Sequence, residues 1–158
     1  MRNVFKSRRL STWSIVMALA SGVVGRGLSV ADPTAQPTTD SRTVWDAVYS
    51  TDQVERGRQQ YVRSCAGCHR EDLIGDGVTP SLADEGFIEH WDMETVEDLF
   101  KRIKTTMPAD GPGSLADADY LDVVAFLLKE NGFPSGPSEL RRRGDDSLKN
   151  VLIVREKK

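Results

Sequence analysis

Between residues 50 and 133, apolar side chains recur at helical spacings of three and four in three separate stretches. The first opens at Ser50-Thr51, where Gln53 stands in the capping-box position relative to Ser50, and runs to about Ser64. Val54, Gly57 and Tyr61 share one face of it. A glycine in such a stripe permits close approach of a second helix, and the expected crossing lies near Tyr120 and Val124. The second stretch begins after Thr95 with Asp98 in the capping-box position. Its apolar stripe is Val96, Leu99, Phe100 and Ile103, and it must stop before Pro108. The third starts after Ser114 and carries Leu115, Tyr120, Val123, Val124, Leu127 and Leu128 on one broad face, with Asn131-Gly132 as its stop. No strand-like alternation of any length interrupts residues 51–133, and no internal repeat is present. The pattern predicts an all-α domain of three main helices with long connections. Three short helices bury little surface by themselves, so something else must fill the middle.

The two ends read differently. Residues 1–31 have the form of an export signal: Arg2, Lys6, Arg8 and Arg9 precede an apolar run over 13–24, and Ser29-Val30-Ala31 supplies a small-x-small cleavage site. The apolar run falls short of the roughly 20 residues that span a bilayer, and Arg26 follows it closely. The expectation is therefore a periplasmic or secreted chain that touches a membrane only if the leader stays uncleaved. Residues 32–43, rich in Pro, Thr and Asp, read as a flexible linker. Residues 44–133 form the domain, and 134–158 are a basic C-terminal extension. Within that extension, Val151-Leu152-Ile153-Val154 is too apolar for a free tail, and either packs on the core or pairs with a partner.

Removing the leader takes away five basic residues and no acids, moving the formal charge from −3 to −8. The extension carries seven basic and four acidic residues, which leaves about −11 on residues 32–133. Such a surface excludes nucleic acid as the natural partner and suits a partner with a basic face. It is equally what keeps an exported protein soluble.

The chemistry is concentrated in Cys65-Ala66-Gly67-Cys68-His69. Two thiols separated by two residues at the end of a helix can add to the two vinyl groups on one edge of a haem, and the next residue presents an imidazole to the iron. A disulfide between Cys65 and Cys68 would close too small a loop to stabilise much. A thioredoxin-like pair would follow a buried strand, and none precedes Cys65. Zinc could draw on both cysteines, His69 and His90, but adjacent Cys68 and His69 do not converge on one tetrahedral ion. One covalent haem c is thus the expected cofactor, and it fills the space that the helices leave. Met107, just past the second helix and beside Pro108, sits where its thioether can face a cofactor, although methionine is also ordinary core filler. His90 is the competing sixth ligand. Trp91 and Arg102 are candidates to bond the haem propionates through an indole N–H and a guanidinium, or else serve packing and surface.

The chain resembles the class I mono-haem c-type cytochromes over about residues 44–133. The likeness runs from the helix entering Cys65-Ala66-Gly67-Cys68-His69, through Thr79-Pro80-Ser81-Leu82 and Thr106-Met107-Pro108, to the closing helix. That resemblance implies the class I cytochrome c fold, His69 and Met107 as the two axial ligands, and a Pro80 carbonyl that receives the second ring nitrogen of His69. The phrases Val44-Trp45-Asp46-Ala47-Val48-Tyr49 and Asn131-Gly132-Phe133-Pro134 are similar to small cytochromes that accompany quinoprotein dehydrogenases, which implies a dehydrogenase of that class as electron donor. The implied function is one-electron transfer between redox proteins, with no small-molecule substrate and no catalytic residue. The alternatives are a haem enzyme of peroxidase or gas-binding type with an open sixth position, and a ligand-sensing haem module. The first requires Met107 not to bind, and no output domain in the sequence supports the second.

Overall fold

Ser50 opens the first helix by accepting a hydrogen bond from the backbone N–H of Gln53, and helix α1 then runs over Thr51–Ser64. The structure, a computed structural model, describes residues 42–143 and 147–156; the leader over 1–31 and the linker up to residue 41 lie outside the described residues. Only half of the expected capping box forms. The Gln53 side chain turns inward instead, where its Oε1 accepts from the Leu140 N–H at 2.9 Å. A short turn α2 (Ala66–His69) follows α1, then α3 (Glu85–Trp91), α4 (Val96–Thr106) and α5 (Asp117–Glu130). Both halves of the Thr95/Asp98 box are present at the start of α4, which ends one residue before Met107. Gly132, at φ +86°, allows the chain to leave α5 in the left-handed region.

Two details depart from the sequence pattern. Helix α5 begins at Asp117, since Gly111–Ser114 closes a separate turn first. The crossing of α1 and α5 is also displaced: a Cβ on Gly57 would lie 1.9 Å from the Asp122 carbonyl oxygen and 2.9 Å from Phe126 Cβ. Tyr120 and Val124 face the other way, and Tyr120 packs edge-on to Phe100 of α4. The true seam therefore runs through Gly57, Tyr61, Asp122 and Phe126, with the Tyr61 and Phe126 rings 5.2 Å apart. Arg56 closes it with two hydrogen bonds to Asp122, at 2.8 and 3.0 Å.

The extension packs on its own core. Leu140, Leu148, Val151, Ile153 and Val154 are all buried. Val151–Leu152 (β2) pairs in parallel with Arg42–Thr43 (β1), so the last two residues of the segment read as linker form a short strand. With these two-residue strands as the only ladder among the described residues, the fold is the all-α cytochrome c architecture. The apolar core divides into two clusters. One joins α3, α4, α5 and the tail; the other, around the α1–α5 seam, holds Tyr61, Leu73, Val123, Phe126 and Leu127.

Candidate haem site

The first cluster contributes Phe87, Trp91 and Leu99, and the second Tyr61, Val123 and Leu127, to the wall of one cavity of about 1150 Å³. That exceeds the roughly 300–1000 Å³ of an ordinary small-molecule pocket. A large planar group there would connect the two halves of the core, the role that three short helices cannot fill alone.

At its rim, α1 ends by handing the chain to a single further turn. The N–H of Cys65 bonds to Tyr61 O at 2.8 Å, and those of Cys68 and His69 return to Cys65 O at 3.1 and 3.0 Å. This turn sets Cys65 and Cys68 three residues apart on one helical face, where both line the cavity. Neither forms a disulfide. Burial pushes the Cys65 thiol up to about 11, so its sulfur favours a neutral form over a thiolate.

His69 is buried, and its Nδ1 lies 3.0 Å from Pro80 O. A carbonyl can only accept, so Nδ1 carries the proton and Nε2 keeps its lone pair for a metal. The loop that carries Pro80 is held firmly. Asp76 accepts from the N–H groups of Val78 and Thr79 at 3.0 and 2.7 Å, which holds its carboxyl below the usual range. Leu82 N–H bonds to Leu73 O at 2.8 Å. Gly75 adopts φ +70° at a point where a Cβ would lie 2.1 Å from Thr79 O. Only glycine fits such a turn.

Met107 caps α4 in an extended conformation, as the residue before a proline should, and lines the same cavity. Its carbonyl accepts from the Tyr120 hydroxyl at 2.8 Å, a contact that the helix pattern did not reveal. Trp91 and Arg102 also line the cavity. Among the described residues, neither the Trp91 indole N–H nor the Arg102 guanidinium meets a protein acceptor. His90 lines it as well, exposed and edge-on to Trp91 at 5.1 Å. Met93 is 61% exposed and is not part of the lining. All seven residues singled out in the sequence (Cys65, Cys68, His69, Pro80, Trp91, Arg102 and Met107) therefore surround one space. Helix α3, which supplies Phe87 to that wall, was not anticipated. Its signal was Asp84, whose carboxylate caps the helix by accepting from Phe87 N at 2.8 Å.

Residues 52–127 match the family model described as cytochrome c oxidase, cbb3-type, subunit III. Among solved structures, the chain is similar to the crystal structure of the sulfane dehydrogenase SoxCD from Paracoccus pantotrophus. The identity is 21% and the TM-score 0.41, over 66% of this chain and 59% of that one, so the chain spans less than two thirds of that structure's length. No curated protein matches. No helix among the described residues is long and apolar enough to cross a membrane. The matched residues contain both the entering turn and most of the cavity wall: residues 52–127 form a mono-haem cytochrome c domain, which implies one covalently bound haem c and haem-based electron transfer.

Proposed function

We propose that this protein is an exported one-electron carrier whose haem is joined to Cys65 and Cys68 and ligated by His69 and Met107. The observation that carries this reading is the convergence of those four side chains on one cavity, with the His69 ring already oriented by Pro80. The haem supplies the Fe(III)/Fe(II) couple, and a methionine–histidine pair favours a high potential.

The chain's own residues do the rest. The turn over 65–69 presents both sulfurs from one face. Pro80 fixes the His69 tautomer and raises its basicity as a ligand. Tyr120 holds the Met107 backbone, while Trp91 and Arg102 offer an N–H and a cation for the propionates. Phe87, Leu99 and Leu127 exclude water. With His69 and Met107 both holding its iron, a bound haem would offer no open site to oxygen or peroxide and would pass electrons without turning over a substrate. Redox proteins are the partners of such a domain. The donor is a periplasmic dehydrogenase, of the quinoprotein class, meeting the acidic core through a basic patch.

The test is Met107→Ala. The oxidised protein should lose the methionine–iron charge-transfer band and become high-spin, whereas Met93→Ala keeps the band. An unchanged spectrum in Met107→Ala would transfer the ligand role to His90.

A further inference from the structure

Helix α3 is seven residues long, well under the roughly 12–15 that hold a helix together alone, yet it supplies Gly86, Phe87, His90 and Trp91 to the haem cavity. Something outside it must fix its position. Among the described residues, the side chains of α3 form ion pairs with one residue only: Arg155, whose guanidinium reaches both Glu85 and Glu89, one turn apart on the helix. The turn that leaves α3 is held by the same stretch of tail. Met93 N–H bonds to Ile153 O and Ile153 N–H to Glu94 O, each at 2.8 Å, and the Asp92 carboxylate accepts from Arg155 N at 3.0 Å. Ile153 itself is wholly buried in the cluster that contains Phe87 and Trp91. The far side of the strap is secured too, since the Trp45 indole N–H bonds to Val154 O at 2.9 Å.

We infer that residues 151–155 act as a strap that positions the α3 wall of the haem cavity, and that Ile153 and Arg155 thereby help to set the reduction potential. They are positioning residues and touch neither the haem nor its ligands. The inference rests on the electron-carrier reading above. The physical link is solvent: a wall that moves outward admits water, and a more polar surrounding favours the ferric, more positive form.

The experiment compares midpoint potentials of the holoprotein in four variants: Ile153→Ala, Arg155→Met, Arg155→Lys and Leu140→Ala. Leu140→Ala removes a buried side chain of the extension that lies away from the cavity wall, and so controls for lost packing. Ile153→Ala should lower the potential by about 59 mV, a tenfold rise in the oxidised-to-reduced ratio at fixed poise for one electron. Arg155→Met should move it less but in the same direction, Arg155→Lys should recover part of that shift, and Leu140→Ala should leave it in place. Equal potentials in Ile153→Ala and Leu140→Ala would overturn the inference. Should Ile153→Ala fail to hold haem, Arg155→Met at the unaltered potential would overturn it instead. A missing charge-transfer band in the unaltered protein would refute Met107 ligation by itself, while the differences between variants still judge the strap.

Discussion

At the scale of residues, the site depends on backbone carbonyls as much as on side chains. Pro80 O receives His69 Nδ1, and Met107 O receives the Tyr120 hydroxyl. Tyr120 is buried, and its hydroxyl ties α5 to the segment that carries Met107. In Tyr120→Phe that carbonyl loses its partner, which costs about 1 kcal/mol. Imidazole should then displace the methionine about fivefold more readily, measured as a lower half-saturation concentration in the oxidised spectrum. Equal concentrations for the two proteins would mean that Tyr120 does not restrain Met107. The place of the pentapeptide at 65–69 on the cavity wall was legible because its geometry is local: two cysteines and the adjacent imidazole lie within one turn of chain. The Tyr120 contact was not. On the helix pattern its ring is an apolar stripe member, and nothing in that pattern shows where its hydroxyl lands 13 residues away.

At the scale of elements, the α1–α5 crossing is the part of the fold with least tolerance. A methyl group at Gly57 would meet backbone at Asp122, which cannot rotate away. Gly57→Ala should therefore destabilise the holoprotein by about 3 kcal/mol, through forced separation of two packed helices. Urea unfolding should show a lower midpoint at an unchanged slope. A midpoint equal to that of the unaltered protein would mean that the helices adjust freely. Three of the helices were legible because each carries a long apolar stripe, with Ser50 and Thr95 capping the starts of α1 and α4 and Gly132 ending α5. The crossing point was legible only in part, since periodicity identifies the glycine but not the register of its partner. Helix α3 escaped because a seven-residue helix with two buried side chains, Phe87 and Trp91, has too few turns to show a period.

At the scale of the molecule, the polypeptide builds two apolar clusters and leaves between them a cavity that one cofactor fills. The extension is part of the first cluster, as its buried Leu148, Val151 and Ile153 show. Its basic residues are partly spent inside the fold. Arg142 lies over the Phe100 ring at 4.9 Å and pairs with Asp117 at 2.7 Å, and Arg155 serves α3. The charge count of the extension was readable in the sequence; its use to bind the chain's own acids was not, because ion pairing depends on the tertiary path.

The central claim is that a haem with both axial positions filled by this chain passes single electrons. An optically monitored redox titration of the purified holoprotein, followed by carbon monoxide over the reduced form, tests it most directly. A filled site gives one wave with a slope of about 59 mV per decade for a single electron, a methionine–iron band in the oxidised form only, and no response to carbon monoxide. High-spin bands with rapid carbon monoxide binding would reveal an open sixth position and contradict the electron-carrier assignment.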